Sequence, residues 1–151
     1  MPQEIIENLI RECMNEAQKA ISGGNPPFGC IIADTSGNIV CKAYNTQESE
    51  NDPTAHAEIN AMRKLGKEIG SRYLDGYLMV ANASSCSMCM SGAVKAHINE
   101  FYFGAPPEQS MNPWITMDEV AKKSKNEVKV HGPILGEECA RQIAEGRSIN
   151  S

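Results

Sequence analysis

Phe28-Gly29-Cys30-Ile31-Ile32-Ala33-Asp34-Thr35-Ser36-Gly37-Asn38-Ile39-Val40-Cys41-Lys42-Ala43-Tyr44 holds two apolar runs around a polar centre. Phe28 to Ala33 and Ile39 to Tyr44 read as strands. Asp34 to Asn38 supplies turn chemistry, so the pair is predicted to be an antiparallel hairpin. Upstream, Ile5, Ile6, Leu9, Ile10, Cys13, Met14, Ala17, Ala20 and Ile21 recur at helical spacing, and Ser22-Gly23-Gly24-Asn25-Pro26-Pro27 ends that helix. Downstream, a polar loop over 45–53 precedes a helix that Thr54 or a neighbour caps and that runs to about Lys67. A strand follows over Tyr77 to Ala81, then a helix from Cys86 to about His97 with Ser84 and Ser85 as caps. Phe101 to Phe103 is a fourth strand, ended by Gly104-Ala105-Pro106-Pro107. Thr116 caps a short helix through about Ser124, Val128 to Val130 is a fifth strand, and Glu137 to Glu145 is the last helix. A hairpin followed by alternating strands and helices implies an α/β fold, a mixed sheet sandwiched by helices.

The chain has 151 residues and a mass of 16.4 kDa, which fits one domain over 1–151. No apolar run approaches the roughly 20 residues that span a bilayer. The opening Met1-Pro2-Gln3-Glu4 does not read as a secretory signal, so a cytoplasmic location is expected. The net charge of −5 argues against nucleic acid as the main partner. Lys122, Lys123, Lys125 and Lys129 read as a solvated helix face. Of the six cysteines, Cys13, Cys30 and Cys41 sit in apolar elements and read as buried small hydrophobes. Disulfides are disfavoured without a signal peptide. Cys86 and Cys89 alone have a spacing that suggests chemistry.

That chemistry rests on two fragments, His56-Ala57-Glu58 and Cys86-Ser87-Met88-Cys89. Zinc takes thiolate and imidazole ligands in tetrahedral geometry, and a catalytic site keeps one of the four positions open. His56, Cys86 and Cys89 supply three ligands. Cys86 and Cys89 lie one helical turn apart, so both sulfurs can meet one ion. Each fragment opens a helix, whose N-terminal dipole favours thiolate. Glu58 is the candidate proton carrier for a water made acidic by the metal. Ideal helical spacing turns positions 56 and 58 apart, so the two share a site only if the helix begins near His56. Taken singly, the fragments have plainer readings: a redox pair, a core histidine, a carboxylate beside a helix dipole.

Together they are similar to the cytidine deaminase superfamily, whose signature and mechanism are described in general terms as His-x-Glu followed by Pro-Cys-x-x-Cys around one zinc. Asn25-Pro26-Pro27-Phe28-Gly29, Asn51 through Ile59, Ser91-Gly92-Ala93, Phe103-Gly104-Ala105 and Gly132 through Cys139 resemble the subgroup of guanine deaminases and tRNA adenosine deaminases. The resemblance implies a three-layer α-β-α fold with a mixed five-stranded sheet. It implies one Zn2+ per chain and hydrolytic deamination of an amino-substituted nucleobase, nucleoside or related heterocycle, with guanine as the leading substrate. It also implies a homodimer.

The chain departs from the family in having Ser84-Ser85 before Cys86 in place of Glu-Pro, which bears on substrate choice more than on metal binding. The stretch Pro106 to Ser110 lacks a basic residue, and Arg147-Ser148-Ile149-Asn150-Ser151 lacks the aromatic tail of guanine deaminases. Substrate contacts are expected from Asn45, Ala57, Ser84 and Ser85 by resemblance. Phe28 is expected as a stacking face and Trp114 as a lid on this pocket or on a partner's pocket. The plainer roles are a turn Asn, a core Phe and ordinary packing of Trp114. Two alternatives stand beside the small-base deaminase: a tRNA-specific adenosine deaminase, and an inactive zinc-stabilised binding protein.

Overall fold

The hairpin forms as β1 (Gly29–Asp34) and β2 (Ile39–Tyr44), antiparallel, with Gly29 opposite Tyr44. The structure, a computed structural model, describes residues 1–151. β3 (Tyr77–Ala83) pairs antiparallel with β1, β4 (Glu100–Ala105) pairs parallel with β3, and β5 (Lys129–His131) pairs parallel with β4. The mixed five-stranded sheet has the order β2-β1-β3-β4-β5. Because β1 runs against β3 and β4, its start lies at the same sheet end as their finish. That end carries the site.

Strand alternation divides the core in two. Ile31, Ala33, Leu78, Val80 and Tyr102 face α1 (Gln3–Ser22) and α6 (Gly136–Ile149), meeting Ile6, Leu9, Ile10, Cys13, Cys139 and Ile143. Cys30, Ile32, Cys41, Met79 and Phe101 face the other side. There they meet α3 (Ala57–Ile69), α4 (Ser87–Lys95) and α5 (Met117–Lys123) through Ala61, Leu65, Met90, Ala93 and Met117. Cys13, Cys30, Cys41 and Cys139 are buried free thiols. Two glycines let the first face close. A Cβ on Gly29 would lie 2.2 Å from the Cys13 carbonyl oxygen of α1, and one on Gly104 would lie 2.5 Å from Cys139 Sγ of α6.

Several expected boundaries shift. The loop over 45–53 contains a single helical turn, α2 (Gln47–Glu50), too short to show periodicity. Thr54 does not cap α3: its N–H and hydroxyl both donate to Asp52 Oδ1, and the N-cap is His56. Ser84 and Ser85 do not cap α4, because Cys86 takes that position and the Ser84 N–H donates to the Ala105 carbonyl. β3 and β4 run further than the apolar runs suggest, since ladder bonding continues through Ala83 and Ala105. The last helix extends from Gly136 to Ile149, beyond the expected Glu145. Thr116 does cap α5, in a reciprocal box with Glu119. No helix is long and apolar enough to cross a membrane.

Candidate active site

α3 and α4 both begin at the end of the sheet where β3 and β4 finish. Their N-cap residues, His56 and Cys86, are extended (ψ 154° and 166°), so each side chain sits ahead of its helix. Cys89 follows in the first turn of α4 and is fully buried. His56 Nδ1 lies 3.5 Å from Cys86 Sγ and 3.4 Å from Cys89 Sγ, and all three donor atoms fall within 4.8 Å of one another. With zinc–nitrogen bonds near 2.05 Å and zinc–sulfur bonds near 2.3 Å, tetrahedral angles put ligand N and S about 3.5 Å apart. The donor set fits one zinc ion in both chemistry and spacing.

The thiols already share a proton unevenly. Hydrogen bonding from Cys89, and then from His56, lowers Cys86 to a pKa of about 4, while hydrogen bonding to Cys86 and burial raise Cys89. Hydrogen bonding to Cys86, with the charge of Glu58 adding to it, raises His56.

Glu58 is 7% exposed and lines the same cavity as His56 and Cys86. The condition set by helical spacing is met: α3 starts at Ala57, so His56 lies outside the helical repeat and can share a site with Glu58. Burial raises the Glu58 pKa, against the opposing pull of hydrogen bonding to the Ser85 side chain. Such a carboxyl holds a proton more readily than an exposed one, as a general acid–base group should.

The cavity holds about 210 Å³, below the 300–1,000 Å³ of drug-sized sites, which suits one small heterocycle. Phe28, Asn45 and Ser84 line it. Asn45 is itself braced: its Oδ1 accepts the Gln47 N–H at 2.8 Å and its Nδ2 donates to Gln47 Oε1 at 2.7 Å. Ala57 and Ser85 are buried beside the cavity and do not line it. Trp114 does not reach it; the indole is 47% exposed on the loop between β4 and α5.

Sequence reasoning missed Gln47, Asn82, Glu108, Met111 and Arg147, all of which line the cavity. Asn82 is fully buried at the end of β3. Its Oδ1 accepts the Gly29 N–H at 3.0 Å and its Nδ2 donates to the Pro27 carbonyl at 3.1 Å, so it brackets Phe28. A lone Asn inside an apolar strand was the available signal, because a buried amide needs partners. Arg147 pairs with Glu108 across 39 residues, and no local pattern announces that.

The sequence profile of the cytidine and deoxycytidylate deaminase zinc-binding region matches residues 3–105. The chain is 33% identical over 99 residues to the tRNA-specific adenosine deaminase of Aquifex aeolicus, covering 66% of this chain and 65% of that protein. It is 30% identical over 100 residues to the guanine deaminase of Bacillus subtilis, covering 66% and 64%. The fold superposes on the guanine deaminase from Nitrosomonas europaea with a TM-score of 0.81 at 17% identity, over 94% of this chain and 84% of that one. It also matches tRNA(Ile)-lysidine synthases of two Deinococcus species, of whose length it spans a fifth to a quarter.

Proposed function

Because the chain belongs to the cytidine and deoxycytidylate deaminase zinc-binding family, we propose that it hydrolyses the exocyclic amine of a small amino-substituted heterocycle, with guanine as the leading candidate. The observation that carries this reading is the meeting of a three-ligand set and a buried carboxyl in one base-sized cavity. His56, Cys86 and Cys89 would hold a zinc ion, which would supply the Lewis acidity that makes water a usable nucleophile at neutral pH.

Glu58 takes a proton from the attacking water and hands it to the ring nitrogen beside the amine-bearing carbon. It then carries the second water proton to the departing amine. The water oxygen remains as the carbonyl and ammonia leaves, so atoms balance. Phe28 forms an apolar wall and the braced Asn45 offers its spare amide N–H and lone pair to the base. The small volume favours a free base over a nucleotide in a folded RNA.

The test is ammonia release by the zinc-loaded protein from aminopurines, aminopyrimidines, pterins and triazines. Turnover of none of them would reject the reading, and zinc without turnover would favour a binding protein. The similarity to the A. aeolicus enzyme favours a second reading, deamination of adenosine in tRNA. Inosine formed in an anticodon stem-loop but not from free bases would select it. A homodimer belongs to the same proposal, supported by exposed Met88, Trp114 and Ile115, and sedimentation tests it.

A further inference from the structure

The outer wall of the cavity comes from the loop after β4, through Glu108, Ser110 and Met111, and from Arg147 in the last turn of α6. These residues lie beyond the 3–105 segment that the family shares. The inner wall therefore carries the chemistry of the matched segment, and the outer wall lies outside it.

Arg147 makes two contacts there. Its guanidinium forms an ion pair with Glu108, and it lies over the Phe28 ring, 5.6 Å from the centroid. Phe28 is partly buried, packs on both core clusters and turns its remaining surface to the cavity. Flat groups stack at about 3.5 Å per layer, and a heterocycle between Phe28 and Arg147 would need about 7 Å. A gap of 5.6 Å does not admit one. A base that stacks on Phe28 takes the place of the guanidinium. The Arg147 and Glu108 side chains are 47% and 42% exposed, and a pair so exposed costs little to break.

Resting on the deaminase reading, we propose that Arg147 and Glu108 are the specificity-determining pair. The substrate displaces Arg147 from Phe28, and its polar edge replaces the ion pair. The guanidinium then needs an acceptor and the carboxylate needs an N–H. A lactam edge, with a ring N–H beside a carbonyl, supplies both. The substrate class is thus an oxo-amino heterocycle whose lactam lies at the cavity mouth while its amine faces Glu58. A base without that edge would leave two charged groups unpaired at a partly closed site, and such sites discriminate strongly.

The experiment measures kcat/KM on two pairs that keep the amine and differ in the lactam: guanine against 2-aminopurine, and isocytosine against 2-aminopyrimidine. The wild type is expected to favour the lactam member. Arg147→Gln and Glu108→Gln should each reduce that preference at least tenfold and retain zinc and Tm. The charge-swapped Glu108→Arg/Arg147→Glu protein should restore the ion pair without restoring the preference. A second readout is binding alone: in zinc-loaded Glu58→Gln protein, guanine should raise Tm more than 2-aminopurine does, and adding Arg147→Gln should erase the difference. Ammonia release without a lactam preference, preference unchanged in both single variants, or preference regained on charge swapping would overturn the proposal and leave the deaminase reading standing. No ammonia from any base would sink that reading, and this proposal with it.

Discussion

Replacing Glu58 by Gln separates a catalytic carboxyl from a structural one, because the two roles predict opposite signs of stability change. Gln keeps the volume and a hydrogen-bonding head but cannot shuttle protons. General acid–base catalysis contributes about 10²–10⁴ in rate, or about 2.7–5.4 kcal/mol of barrier. Turnover should fall by that factor in a zinc-loaded protein. Stability should hold or rise, since burial already opposes the ionised form of Glu58 and the neutral amide escapes that cost. If Glu58 instead serves the dipole of α3, its loss costs about 0.3–1 kcal/mol, and at this chain length Tm drops by about 1–4 °C with turnover intact. Steady-state ammonia release, zinc content by elemental analysis and calorimetry on one preparation decide the matter. A zinc-loaded Gln variant with near-normal turnover and a lowered Tm would refute the assignment.

Cys86→Ala or Cys89→Ala should lose the zinc and much of the stability that the metal adds, whereas Cys13→Ala, on the opposite face of the sheet, should keep its zinc; elemental analysis and melting compare the three. Asn82→Ala strands the Gly29 N–H and the Pro27 carbonyl, at about 1–3 kcal/mol for each buried group left unpaired. Urea unfolding should show that loss while zinc content stays at one per chain. The Asp34 carboxylate accepts the N–H groups of Asn38 and Ser36 and the Asn38 amide, with the Asn38 backbone bond foremost in holding its pKa below the ordinary value. A lowered folded-state pKa gives stability that is present above about pH 4 and lost as pH falls through the folded value. The gap between wild type and Asp34→Ala should therefore be widest near neutrality and narrow in acid; a gap that does not change with pH would contradict it.

The ligand set was readable because its information is local. His56 and Glu58 are two residues apart, Cys86 and Cys89 three, and each pair opens a helix. The hairpin and the two-faced core were readable from alternation and turn residues for the same reason. What escaped depends on contacts between distant segments. Arg147 looks like an ordinary last-turn cation, and only the packing of α6 beside the loop after β4 turns it toward the cavity. Trp114 is a large aromatic on a loop, and it stands outside this chain's own cavity because sequence does not say which way a loop points. Ser84 and Ser85 have good capping chemistry, yet Cys86 outranks them because its N-cap backbone aims a sulfur at His56.

The packing of α3 against α4 works as a caliper. The three donors stand on the first turns of these two helices, so the separation of the helix axes sets the jaw opening. Gly92 of α4 is the contact point, where an added Cβ would lie 3.5 Å from Met62 Cε and 3.8 Å from Ile59 Cδ1. An alanine there only fills space, while a leucine is a shim that pushes the jaws apart. Metal preference is thereby adjustable from outside the site: widening the jaws by a few tenths of an ångström should lower the affinity for zinc and leave His56, Cys86 and Cys89 untouched.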